Sequence, residues 1–327
     1  MPSATPVQGA PGWEVVHSGV TDDLHAVAFV DDRVGVAVGG NRTVIRTEDG
    51  GRSWRRVMGP DEGGTGPLAG VVFADPQNGW VRNTFTTDVR RTTDGGKTWK
   101  QVKSPNEGSV YAPSGFSAHA VAGGRYFWMN FSGAAGGNAL YTTTGDGKWD
   151  KLWDATPYLG GDGVDLAFPD ATHGWMSSRS TGTHARFYVG RSTDGGKTWE
   201  QREMKDKVSG NSTVLHAVDK DHGWFSTAAN YHVHATEDGG KTWTAYDLGN
   251  ASASGIRRIQ FLGPKLGHVL CIGVNQWQVR QTDDGGKTWS GLGDIRTRVL
   301  VGGMYFRSKG RGWVVGNKGY VARYEGE

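Results

Sequence analysis

Apolar and β-branched residues fall in short runs along the whole chain, broken by Gly, Asn, Asp and Pro. The runs at 24–29, 34–39 and 43–46 are succeeded by runs at 71–73, 79–81 and 87–90, a rhythm that reads as strands of an antiparallel meander. After each trio comes a polar turn that repeats almost letter for letter. Thr47-Glu48-Asp49-Gly50-Gly51-Arg52-Ser53-Trp54 returns at 92–99, 192–199, 236–243 and 282–289, and a shortened copy stands at 143–149. Each letter of this box has a use. The hydroxyl and carboxylate can bond turn backbone, and the paired glycines permit the positive φ of a tight connection. The tryptophan then starts the next strand and carries a large apolar area inward. Asp49, Asp94, Asp146, Asp194, Asp238 and Asp284, with Trp54, Trp99, Trp149, Trp199, Trp243 and Trp289, are therefore assigned to the scaffold.

Three runs and the strand opened by the box tryptophan make four strands per unit, which is a propeller blade. The interval between successive box tryptophans averages about 47 residues, so the 327-residue chain holds seven units. The last unit, at 304–306, 312–316 and 320–324, stops after three strands. Trp13-Glu14-Val15-Val16 matches the pattern of a box tryptophan and its strand but has no box before it. The expected architecture is thus all-β, a seven-bladed propeller of four-stranded blades over 13–327, closed by an N-terminal strand that completes the last blade. Residues 1–12 are expected to be a tail.

Composition adds a few exclusions. The 53 glycines lack a collagen period and so mean many turns, while the 14 tryptophans supply the repeated anchor. The formal charge of +3 is spread around the molecule, because Lys97, Lys197, Lys241 and Lys287 share one slot of the box. Nothing in that distribution points to nucleic acid. Cys271 is the single cysteine, so no internal disulfide forms and it reads as core. No apolar stretch approaches a membrane span, and membrane insertion is not expected. Residues 1–13 have neither a basic start nor an apolar run, which reads as cytoplasmic as written, or extracytoplasmic if a leader was removed. Ring closure leaves no free sheet edge, so a monomer is expected.

Units with an apolar-x-Phe run, a Gly-Trp run (Gly79-Trp80, Gly174-Trp175, Gly223-Trp224, Gly312-Trp313) and a Thr-x-Asp-Gly-Gly-Lys-Thr-Trp box resemble the photosystem II stability/assembly factor family. The resemblance covers nearly the whole chain. It implies a non-enzymatic docking factor with a basic surface for a partner protein. The box is shared with sialidases, xyloglucan-active glycosidases and sortilin-type receptors, so it speaks for fold more than for function. Arginines available for such a surface are Arg82, Arg90 and Arg91 in the second unit and Arg257, Arg258 and Arg280 in the sixth. Arg46, Arg91 and Arg191 share the slot before the box hydroxyl and read as scaffold.

Enzymatic chemistry finds little support in the residues. A glycosidase needs two carboxylates facing across a sugar, and the sialidase Phe/Tyr-Arg-Ile-Pro signature is absent, since Gly255-Ile256-Arg257-Arg258-Ile259 lacks its proline. The xyloglucan-active type pairs two propellers, and one is present here. Asp165 alone lies on a strand expected at the central channel. Read plainly it is a hydrogen-bonded aspartate; read as catalytic it would need a rim partner such as Glu107 in a carbohydrate-active hydrolase or lyase. Tyr231-His232-Val233-His234 puts two imidazoles on one strand face, but no third metal ligand adjoins them. Gly-Gly-Lys-Thr is not a phosphate loop, because the required earlier glycine is replaced by Arg91, Arg191, Ala235 or Gln281. No cofactor is expected.

Departures from the repeat mark where function has room. The third unit carries the degenerate box, the stretch 106–116 and the aromatic run Tyr126-Phe127-Trp128-Met129-Asn130-Phe131; the fourth carries a long connection over 178–186. These read either as packed variable loops or as an aromatic rim. The expected binding face is the channel mouth, with His25, Arg82, His119, Trp128, Asp165, His216, Arg257 and Arg258, and its ligand a protein, glycan or small molecule.

Overall fold

In the computed structural model the described residues are 12–62, 66–83, 86, 88–105, 119–130, 139–154, 165–180, 186–205, 208, 213–227, 231–249, 255–273, 276–295, 297 and 299–326. They form seven four-stranded antiparallel sheets. The first blade runs Leu24–Phe29, Gly35–Gly39, Val44–Thr47 and Arg55–Met58, from the central axis outward. The other blades repeat that order. In the seventh, Val301–Ser308, Arg311–Gly316 and Tyr320–Glu325 are joined by Trp13–Val16, with Trp13 opposite Tyr324 and Val15 opposite Ala322. This is the closure expected from the sequence. Residues 18–23 extend it: Gly319 N–H donates to Asp22 O at 2.9 Å and Gly40 N–H to Asp23 O at 2.7 Å, so the closing segment bonds both the last blade and the first.

Two details differ from the expected strands. Each fourth strand begins one residue after its box tryptophan, because the indole turns inward before pairing starts. The third strand of blade 2 is Val89–Thr92 against an expected 87–90; residue 87 lies outside the described residues, and the Asp88 side chain pairs with the buried Arg42 of blade 1 while its carbonyl accepts from Asn83 N–H. Most of the tail and Glu107 lie outside the described residues, as do 106–116 and most of 178–186.

The box works as its letters suggest. In blade 2 the Thr92 hydroxyl donates to Asp94 Oδ1 at 2.7 Å and accepts from Gly96 N–H at 2.9 Å. Asp94 in turn accepts from Lys97 N–H, Thr98 N–H and the Thr98 hydroxyl. Gly95 and Gly96 have φ of 71° and 82°, left-handed values that only glycine adopts without strain.

Blades cohere through a seam of aromatics. Trp313 lies flat on Phe29 of the next blade with centroids 3.5 Å apart, and Trp224 on Phe261 at the same distance. Phe127 on Phe168 and His268 on Phe306 fill the same slot in other blades. The indole N–H of Trp313 donates to Gly50 O and that of Trp224 to Gly285 O, so the Gly-Trp strand of one blade holds the box of the next. Arg46 and Arg91, bonded to Gly95 O and Gly145 O, do the same from the slot before the box. That accounts for their scaffold assignment. The Gly-Trp tryptophans Trp80, Trp175, Trp224 and Trp313 are at most 1% exposed, and each removes on the order of 200 Å² of aromatic surface from water.

Candidate functional site

The first strands of the blades surround the axis, and their channel-facing residues form the candidate site. In blades 1, 2, 6 and 7 the pairing of first and second strand slips near the start of the first strand, between Leu24 and Ala26, Leu68 and Gly70, Ile256 and Arg258, and Val301 and Gly303, and in blade 7 it slips again between Phe306 and Ser308. A bulge there sets the extra residue out of the alternation and re-aims its side chain. The extra residues near the strand starts are His25, Ala69, Arg257 and Gly302. In blade 6 the bulge explains why two successive arginines, Arg257 and Arg258, are both exposed on a strand whose remaining residues are largely buried.

Several predicted channel residues staple neighbouring blades. His25 Nδ1–H donates to Leu68 O at 2.9 Å, joining blades 1 and 2. His216 Nε2–H donates to Phe261 O at 3.0 Å, joining blades 5 and 6. Asp165 Oδ2 accepts from Leu215 N–H at 3.0 Å, joining blades 4 and 5, and Oδ1 accepts from Leu166 N–H. His119 leans onto Gly70, where an added Cβ would fall 2.2 Å from its Nε2. These bonds replace the ladder that adjacent first strands cannot form with one another. Sequence reasoning misses two further staples. The Tyr305 hydroxyl donates to Phe29 O at 2.9 Å, and the Gln260 side chain bonds both N–H and C=O of Phe306.

The charged members act on one another electrostatically across the axis. Burial disfavours the charged form of Asp165 and raises its pKa, against the pull of its two backbone donors and of Arg258 and Arg82. Arg82 and Arg258 are lowered chiefly by loss of solvent; repulsion from Arg258 adds to this at Arg82 and repulsion from Arg257 at Arg258, while Asp165 opposes the shift in both. Burial, reinforced by Arg82 and Arg258, pushes His119 well below the ordinary histidine range, and burial brings His216 to about 4. Both imidazoles are neutral at pH 7. These groups therefore set two guanidiniums against one carboxylate, in surroundings that weaken screening by water.

Toward the middle of the axis the walls become apolar. Val27, Val71, Val121, Ile259 and Met304 are among the residues around a cavity of about 290 Å³, with Arg258, His216 and Tyr305 at its edge. No motif announces this space, since its lining residues are ordinary first-strand residues until six blades bring them together.

Other predicted residues lie elsewhere. Trp128 is 1% exposed, packed at 5.6 Å from Trp149 inside blade 3, so its indole faces the blade interior. His234 is buried beside Phe225, and His232 approaches Asp247 at 4.0 Å. Among the described residues no three His, Cys, Asp or Glu side chains gather to hold a metal. Arg90 is buried near Asp88 and Met58, and Arg280 donates to Leu248 O in the neighbouring blade. Of the arginines expected at the binding face, Arg82, Arg257 and Arg258 remain at the channel.

The sequence model of the photosynthesis system II assembly factor YCF48 family matches residues 5–107 and 148–297, most of the chain. The chain belongs to this family. The stretch between the two matched segments covers most of the irregular third blade. A photosystem II assembly lipoprotein Ycf48 from Prochlorococcus marinus is 43% identical over 49 residues, which span 15% of this chain and 14% of that protein. A solved YCF48 bound to a D1 peptide superimposes with a TM-score of 0.71 at 19% identity, covering 97% of each chain. The GH74 xyloglucanase from Xanthomonas campestris superimposes with a TM-score of 0.69 at 15% identity, covering 96% of this chain and 53% of the enzyme. Both superpositions are likenesses of fold.

Proposed function

We propose that this YCF48-family chain is a non-enzymatic docking factor in which the arginine-bearing mouth of the channel receives a polypeptide. The observation that carries the reading is the pair of adjacent exposed arginines Arg257 and Arg258 on the first strand of blade 6, beside a channel where Arg82 and Arg258 both attract Asp165. Family membership supports an assembly role, and the D1 peptide bound by the solved relative supports a polypeptide as the ligand class. His25, His119, Asp165 and His216 serve this reading by fixing the rim through their contacts with adjoining blades. Arg257 and Arg258 then make the contacts. A carbohydrate-active role would require a second carboxylate opposite Asp165, whose own oxygens are occupied by Leu215 and Leu166 N–H.

Fluorescence anisotropy with a labelled D1 peptide tests the proposal. Saturable binding is expected to weaken by about tenfold in Arg257→Ala, a loss of one charge-assisted contact, and to weaken with added salt. Absence of binding, or binding indifferent to Arg257→Ala and to salt, overturns it.

A further inference from the structure

The polar groups around the axial cavity are unequally occupied. Tyr305 O–H is spent on Phe29 O, both ends of the Gln260 amide are spent on Phe306, and His216 Nε2–H is spent on Phe261 O. Arg258 differs. Of the five N–H donors of a guanidinium, one on Nη1 reaches the carbonyl of its own neighbour Arg257 at 2.9 Å, and Arg258 forms no ion pair with a described residue. Its side chain is exposed to the water of the channel yet surrounded by protein. Asp165 attracts it electrostatically without forming an ion pair, and both oxygens of that carboxylate already accept backbone N–H bonds.

The cavity that Arg258 lines is also lined by Val27, Val71, Ile259 and Met304, so a guanidinium and apolar side chains share one wall. At about 290 Å³ the cavity stands at the small end of ligand sites, which run from roughly 300 to 1,000 Å³. The staples also occupy the carbonyls of Phe29, Phe261 and Phe306 on the strand edges that face the axis, which removes acceptors a peptide backbone would need.

We propose that the axial cavity binds a small apolar monocarboxylate, with its body against Val27, Val71, Ile259 and Met304 and its carboxylate on the Arg258 fork. The planar guanidinium matches a carboxylate with two parallel N–H···O bonds, and partial exclusion of water strengthens that pair. The apolar body gains by leaving water. The site adjoins the polypeptide docking surface proposed above and shares Arg258 with it, whereas Arg257 lies outside the cavity lining and belongs to the docking surface alone.

Isothermal titration calorimetry with 3-phenylpropanoate, 3-phenylpropan-1-ol and acetate tests both halves of the site. The full chain is expected to bind 3-phenylpropanoate saturably, and to bind the neutral alcohol and the bodiless acetate at least about tenfold more weakly. Arg258→Met keeps an apolar stem of similar length and is expected to lower affinity for 3-phenylpropanoate by about tenfold or more while leaving that for the alcohol unchanged. The comparison of three ligands on the wild-type chain stands even if the variant does not fold. No binding of 3-phenylpropanoate up to about 10 mM, equal affinity for acid and alcohol, or an unchanged affinity in Arg258→Met overturns the proposal. So does binding of the tripeptide Gly-Gly-Phe by a chain that ignores 3-phenylpropanoate. Titrating the D1 peptide in parallel keeps the two proposals apart, since either ligand can fail while the other binds.

Discussion

In blade 4 the box is a closed ring of bonds. Asp194 accepts from the Ser192 hydroxyl at 2.8 Å, from Lys197 and Thr198 N–H at 3.0 Å each, and from the Thr198 hydroxyl at 2.7 Å, while Trp199 Nε1–H returns to Gly196 O. In blade 3 the box is one residue shorter, and Asp146 accepts from Lys148 N–H alone among the described residues. Its tryptophan still packs, but Trp149 Nε1–H leaves its own turn and donates to Lys103 O next to the outer strand of blade 2. The two functions of the motif are therefore separable. The indole anchors a blade whether or not the carboxylate organises the turn, and the turn can degenerate once an adjoining blade takes over the N–H.

The largest test of this contrast is acid. Although burial pushes them upward, hydrogen bonds hold Asp49, Asp94, Asp194, Asp238 and Asp284 at about 2, below an ordinary aspartate at 3.8. A depressed carboxylate stabilises the fold fully above the unfolded pKa and ceases to do so as pH falls through the folded one. Buried His216 and His268, both near 4 against 6.5 unfolded, lose their contribution earlier, as pH falls from about 6.5 to 4. Thermal unfolding across pH 2–7 is expected to show two successive declines, with the lower one shallower by one site's share in Asp194→Asn. A lower decline that ignores Asp194→Asn breaks the comparison.

Next in size is deletion of the carboxylate at neutral pH. Asp194→Ala leaves four donors without their acceptor and is expected to cost about 2 kcal/mol, whereas Asp146→Ala is expected to stay below about 0.5 kcal/mol. Urea unfolding of the pair measures both, and equal losses would show that bond count does not set the value of the box. The smallest effect is a repair. Replacing 144–148 by Thr-Asp-Gly-Gly-Lys-Thr restores the full length and is expected to raise stability by about 1 kcal/mol, read from the same unfolding midpoints. A loss instead would mean that Trp149 cannot give up its bond to Lys103.

Much of the candidate site is legible as residue types, and less as roles. Their place near the start of each unit assigns His25, His119, Asp165, His216, Arg257 and Arg258 to the channel, and each does sit on a first strand. Nothing in the letters shows that His25, Asp165 and His216 bond the next blade, because those partners are backbone atoms some 43 to 50 residues away. The bulges are equally silent, since a one-residue slip changes no composition. Trp128 misleads for the opposite reason: an aromatic in an irregular unit looks available, yet the apolar area of an indole draws it into the blade.

The information that can be read from the chain alone is local and repeated. A hydroxyl, an aspartate, two glycines and a tryptophan set each turn through bonds that span four residues or fewer, so their pattern carries the strand order and the number of blades. The content of the axis has a different origin, in the assembly of the ring. Seven separate strands must meet before the guanidiniums of blades 2 and 6 oppose the carboxylate of blade 4 and before scattered valines enclose a cavity. Those contacts depend on the angle between blades, and no run of neighbouring residues encodes it.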